Sequence, residues 1–315
     1  MRKLILFFAA ALVLQAFNSC KDYGVEDEDI DTPAKSDVNY LVMFYGQGGG
    51  NLDPYIVSNI VQAIDEGGSD KVGMTFEYKL SDSLQHLPQY KDFEGTRRFT
   101  IDENAHLKGM FKSMSKEYPN LDKTSFDYYL MNIKSERIGN AYYDMSNSDS
   151  LAAFITWSKK KYPNAKRTIL VISDHGSGWD LSDGKAEMEA QNKSRGILFD
   201  DNLDSKNLTA IDVANGIKKG GGVDLYYTDA CLMSMYENIY TLAKAVRYML
   251  TAVEEIPEDG GDFRKLLSLL KTAGTTDAEL VDAMHRYADH CVSDQWWGKK
   301  NADGYIEYTD IGLYD

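Results

Sequence analysis

Apolar runs of strand length recur along this 315-residue chain and alternate with segments of helical periodicity. The runs fall at residues 40–45, 72–80, 168–172, 223–227 and 248–253. Shorter ones are expected at 98–101, 126–131 and 195–199. Between them the apolar positions space as helices, as at 53–66, where Ile56, Ile60, Val61 and Ile64 form one face. Helices are also expected over 108–116, 150–162, 210–218, 234–246, 262–271 and 277–296. The helix at 150–162 has a cap within Asn147 to Asp149 and a stop at Pro163. Continuous apolar strands joined through helices predict an α/β fold around a mostly parallel sheet.

Two of these strands end in reactive side chains. The run at 168–172 leads into Ser173-Asp174-His175-Gly176, and the run at 223–227 leads into Thr228-Asp229-Ala230-Cys231. In an open parallel sheet, ligands bind at the carboxyl ends of the strands. A thiol and an imidazole meeting there make a nucleophile and its proton-transfer partner. The helix expected over 234–246 would place its N-terminus near Cys231, where it would lower the thiol pKa. The N–H groups of Cys231 and Gly176 would serve as an oxyanion hole.

The N-terminus is read as an export signal over residues 1–19. Arg2 and Lys3 precede an apolar run over 4–14, too short to span a bilayer. Ser19-Cys20 then resembles a bacterial lipoprotein cleavage site, with Cys20 carrying lipid. Cleavage there removes two positive charges, so the formal charge goes from −15 to −17. Residues 20–37 are acidic and polar and read as a tether. The folded body is expected over 38–315, its C-terminus incomplete, because a strand-like start at 305–310 has little after it. Of three cysteines, Cys231 and Cys291 remain after lipidation, and a bridge between them is the structural alternative to a free nucleophile. The acidic charge disfavours nucleic acid and suits basic peptides.

The stretch Ile172-Ser173-Asp174-His175-Gly176-Ser177-Gly178-Trp179, followed by Asp229-Ala230-Cys231-Leu232-Met233, resembles the two active-site blocks of the clostripain family of cysteine peptidases. These are relatives of caspases, gingipains and legumain. Asn51-Leu52-Asp53 and the stretch from Glu254 to Phe263 are also similar. The resemblance implies a caspase-like α/β sheet and peptide-bond hydrolysis through an acyl-enzyme thioester. It makes Cys231 the nucleophile, His175 its partner, and Gly176 and Cys231 the oxyanion donors. It puts Asp229 in the pocket for the residue before the cut, favouring Arg or Lys. It also implies self-processing between the blocks, with Lys185, Lys193 and Arg195 as the basic sites.

The expected protein is thus an exported, monomeric outer-membrane lipoprotein, facing the periplasm or the cell surface, that cuts peptides after Arg or Lys. No cofactor is needed for the chemistry. No metal-ligating set stands out, although Asp200, Asp201 and Asp204 are weighed for calcium, which some relatives need. The alternative is a non-catalytic lipoprotein that binds glycan or peptide, with Trp296-Trp297 as the best stacking platform. A hydrolase of the same fold with another specificity is a second alternative.

Overall fold

The computed structural model describes residues 34, 37–47, 51–80, 95–112, 132–178, 196–293, 296–298 and 310–315. The export signal, Cys20, most of the tether, the strand expected at 126–131, and Lys185, Lys193 and Arg195 lie outside them.

Ten strands are described: β1 (Tyr40–Gln47), β2 (Val72–Lys79), β3 (Thr96–Thr100), β4 (Glu136–Gly139), β5 (Arg167–Ser173), β6 (Ile197–Asp200), β7 (Lys206–Leu208), β8 (Val223–Asp229), β9 (Val246–Ala252) and β10 (Ile311–Tyr314). The helices between them are α1 (Asp53–Glu66), α2 (Ser148–Lys161), α3 (Ala210–Lys219), α4 (Tyr236–Leu242), α5 (Phe263–Thr272) and α6 (Asp277–Val292). Eight strands form one sheet in the order β10-β9-β8-β5-β1-β2-β3-β4, and β6 and β7 form a separate hairpin. The strands from β9 to β2 pair in parallel, and antiparallel pairs close both edges.

Parallel pairing explains the strand composition. Every residue of β1 and of β2 is buried, because helices cover both faces. Tyr40, Val42 and Phe44 face a core shared with α1, α5 and α6. Tyr45, of the opposite parity, packs on Phe154 of α2. The helices start where capping chemistry permits. Asn147 accepts from Asp149 N and Ser150 N ahead of α2, and Thr209 and Thr276 complete capping boxes with Asp212 and Glu279.

Three expected helices differ from those observed. Around 108–116, a 3-10 turn at Ala105–Leu107 precedes helical residues at 110–112. The helix expected over 277–296 ends at Val292. Beyond it, the indole N–H groups of Trp296 and Trp297 both donate to Gly260 O, at 2.7 and 2.8 Å. These tryptophans therefore buttress a loop, and Trp297 is buried. The helix expected over 234–246 spans only Tyr236 to Leu242. Leu232 N and Ser234 N donate to Glu254 O and Ala252 O, and Met235 is extended (φ −67°, ψ 144°), so the helix begins only after it.

The hairpin of β6 and β7 is fastened to the sheet by a buried ion pair. Lys79, the last residue of β2, meets Asp200, the last of β6, and each is 1% exposed. Lys79 Nζ also donates to Tyr143 O at 3.0 Å. Burial pushes the Lys79 ammonium down and the Asp200 carboxyl up, the desolvation penalty of such a pair. Lys79→Met, which strands the Asp200 charge, is expected to cost about 3–5 kcal/mol. Adding Asp200→Leu should restore most of it, measured by urea unfolding of the two variants beside wild type.

Candidate active site

The strand order changes direction at β1. The chain leaves β1 to form β2 on one side and returns to form β5 on the other. Such a switch point opens a crevice at the carboxyl ends of the strands. The residues that follow β1, β5 and β8 meet there: Asn51, His175 and Cys231.

Register makes the meeting possible. In the parallel pair of β5 and β8, Ser173 lies opposite Asp229. His175 and Cys231 each come two residues later, so they leave neighbouring strands at the same level. The backbones touch at this point. A Cβ on Gly176 would lie 2.2 Å from Cys231 O and 3.1 Å from Cys231 N. Only glycine permits that approach. Gly176 also bridges to Ile197, through Leu198 N to His175 O and Ser177 N to Gly196 O. Those two bonds flank Gly176 and do not use its own N–H.

Cys231 is half-buried and free of any disulfide, as is the fully buried Cys291. The bridge weighed for this pair is not formed. Ile256 N donates to Cys231 Sγ at 3.4 Å. Burial pushes the Cys231 thiol up; the Ile256 N–H opposes this, and Glu255 adds to it. This corrects the expected helix effect: α4 begins five residues beyond the cysteine and exerts no such pull. Leu232, next in the chain, has φ +62°, a left-handed conformation that turns the chain sharply after the thiol. His175 is oriented from the far side by Asn51, whose Oδ1 lies 2.8 Å from His175 Nε2. Asn51 as acceptor makes Nε2 the donor, which gives the remaining nitrogen, Nδ1, the acceptor role.

Beside these two lies a pocket of about 110 Å³, bounded by α1, the strand ends and residues 256–260. Asp229 lines it, 3% exposed. Its Oδ2 accepts from Ser173 Oγ at 2.9 Å and Asn59 Nδ2 at 3.4 Å. Its Oδ1 accepts from Gly261 N at 2.8 Å and Tyr227 OH at 3.2 Å. Tyr227 OH in turn meets Tyr287 OH of α6 at 3.3 Å. Burial nevertheless raises the Asp229 carboxyl to about 6, against the pull of these donors. Keeping its charge there costs about 3 kcal/mol relative to water. Gly260, at φ +61°, packs against both Asp229 and Asn59, where a Cβ would fall 2.6 Å from Asp229 Oδ2. Glu258 stands in the pocket wall and is hydrogen-bonded by Tyr55, whose phenol that bond raises.

Of the residues expected from sequence, His175, Gly176, Asp229 and Cys231 converge. Asn51, Ser173 and Glu258, which lie in the stretches quoted from sequence but have no role assigned there, join them, as does Asn59 of α1. Among the described residues two other histidines have partners of their own: His106 meets Asn132 O and His290 pairs with Asp262. Asp200 is held by Lys79, and no group of three or more metal-ligating side chains occurs among the described residues.

Fold and site thus define a caspase-like α/β protein with a thiol and an imidazole at adjacent strand ends. The model of the clostripain family matches residues 132–302, more than half of the sequence and both strand-end blocks, and the chain belongs to that family. A search of curated proteins returned no match. Among solved structures, a secreted C11 cysteine protease from Bacteroides thetaiotaomicron, in complex with an irreversible peptide inhibitor, aligns with TM-score 0.55 at 14% identity, covering 88% of this chain and 66% of that one. A second structure from that organism, "iotapain", gives 0.51 at 15%, covering 82% and 63%. An inactive zymogen C11 protease from Parabacteroides distasonis gives 0.50 at 17%, covering 81% and 60%. The chain thus spans less than two thirds of the length of these structures, and at such identities the likeness concerns the fold.

The Asp229 cage makes one prediction independent of function. Infrared difference spectra should show a protonated carboxyl growing in as pH falls through about 6, and Asp229→Asn should abolish that band. A band absent at every pH above 4.5 would contradict the burial argument.

Proposed function

We propose that this chain is an exported cysteine endopeptidase that hydrolyses peptide bonds after Arg or Lys. The observation that carries the reading is the β5–β8 register, which sets His175, Cys231 and the buried Asp229 around one pocket. Burial raises the Cys231 thiol, so it needs a base at neutral pH. His175 is that base. Its ring, held by Asn51 through Nε2, takes the thiol proton on Nδ1.

The sulfur then attacks the scissile carbonyl carbon. The resulting oxyanion is met by the N–H groups of Gly176 and Cys231, whose backbones already touch. Collapse of the tetrahedral intermediate breaks the C–N bond, and the imidazolium protonates the departing amine. Water, deprotonated by His175, hydrolyses the thioester and regenerates the thiol. Asp229 faces the basic side chain, and Glu258 adds a second acidic group to the wall. The formal charge of −15 attracts basic peptides at longer range.

The reading includes a lipid on Cys20, anchoring a monomer to the outer membrane through the tether. It also includes self-cleavage after Lys185, Lys193 or Arg195. Ser177 and Gly196, which flank that stretch, are bonded to each other by Ser177 N to Gly196 O at 3.0 Å and Gly196 N to Ser177 Oγ at 2.9 Å. A cut between them leaves Ser177 and Gly196 bonded to each other across the break.

Fluorogenic peptides with Arg, Lys, Leu or Asp before the scissile bond test the reading on the full-length protein. Wild type should turn over the Arg and Lys peptides, run as two fragments on a denaturing gel, and lose both properties in Cys231→Ala. Asp229→Asn should lower kcat/KM on the basic peptides by at least on the order of a hundredfold. Turnover that survives Cys231→Ala would refute the nucleophile, and turnover confined to Leu or Asp would refute the role of Asp229.

A further inference from the structure

Asp229 is already saturated. A carboxylate has about four acceptor positions, and Ser173, Asn59, Tyr227 and Gly261 occupy four. It offers charge to a basic side chain but few open lone pairs. An ammonium or guanidinium entering the same pocket brings three or five N–H donors, each of which must find an acceptor once water is excluded.

One acceptor stands ready. Asn59 lines the pocket from α1 and is 2% exposed. Its Nδ2 donates to Asp229, while its Oδ1, also buried, has no hydrogen-bond partner among the described residues. The amide is not reversed. Turning it would set Oδ1 against the Asp229 carboxylate, two acceptors with no proton between them. A polar residue at this place is costly for the helix to keep. Asn59 sits beside Val57, Ile60 and Val61, all fully buried, and a buried carbonyl without a donor is a standing penalty.

We infer that Asn59 is a specificity residue of the peptidase, holding Asp229 with its amide nitrogen and accepting an N–H of the substrate's basic side chain with its carbonyl oxygen. Asp229 supplies the charge and Asn59 the directed acceptor. The inference rests on the reading that Asp229 faces an Arg or Lys side chain. It adds a neutral group that discriminates by hydrogen bonding. An apolar side chain entering the pocket would leave the Asn59 carbonyl without a donor and the Asp229 charge unneutralised, and a neutral polar one would still leave Asp229 unneutralised.

The test uses Asn59→Leu, similar in size without donor or acceptor, and Asn59→Ala, which suits a helix and is the milder change for folding. Both are assayed at about pH 8, where Asp229 is ionised with or without its Asn59 bond. KM for Arg and Lys peptides should rise by about tenfold or more, with kcat within about twofold. The inhibition constant of n-butylamine, a pocket probe with no scissile bond, should rise by the same factor. Thermal melts establish that the variants are folded. An unchanged KM in a folded variant overturns the inference while leaving the peptidase reading intact. A KM rise seen only below pH 7, together with a raised Asp229 infrared midpoint, reduces Asn59 to a support for Asp229 and also overturns it. Wild type that ignores Arg and Lys peptides removes the underlying reading, and the inference falls with it.

Discussion

Everything at this site depends on the parallel pairing of β5 with β8, with Ser173 opposite Asp229. Strand side chains alternate, so a slip of one residue would turn Cys231 away from His175 and expose Asp229 to the opposite face. The register is held from both ends. At the amino end, Asp224 of β8 accepts from Thr168 N at 2.8 Å and Thr168 Oγ at 2.9 Å, and pairs with Arg167 at 3.1 Å. At the carboxyl end, Ser173 Oγ reaches Asp229 and Asp174 N reaches Asp229 O. Gly176 then lets the two backbones close beyond the last ladder bond.

The second constraint is the buried carboxylate. Asp229 binds elements distant in sequence: α1 through Asn59, β5 through Ser173, and the 256–261 loop through Gly261. The same loop holds Cys231 through Ile256 and is fixed from behind by Trp296 and Trp297 on Gly260 O. Thiol and carboxylate therefore sit on one mechanical unit. On the proposed reading, a group whose charge is costly to bury, and which nevertheless has four donors, is organised for an incoming cation.

Much of this was legible in the residues. Strands buried on both faces advertise themselves as uninterrupted apolar runs, and β1, β2, β5 and β8 fall within a few residues of expectation. The edges did not. Glu136–Gly139 and Lys206–Leu208 are short and polar, carrying no periodic signal. The helix expected after Cys231 begins only after Met235, and the residues before it bond to 252–254, a tertiary contact that local periodicity cannot reveal. His175 and Cys231 were legible as the ends of strands. Asn51 and Asn59 were harder to find, because their roles depend on partners more than 100 residues away. The one available signal at Asn59 is a buried polar residue within the apolar face of α1.

The central claim is that Cys231, paired with His175, is the reactive thiol. The direct measurement is peptide mapping by mass spectrometry after brief exposure to a peptidyl-arginine acyloxymethyl ketone. The account predicts one adduct, on Cys231, and none in His175→Ala over the same interval. Cys291 is fully buried, with its thiol pushed up to about 12, and should stay unmodified. Labelling of Cys291, or of Cys231 at an equal rate without His175, would contradict it.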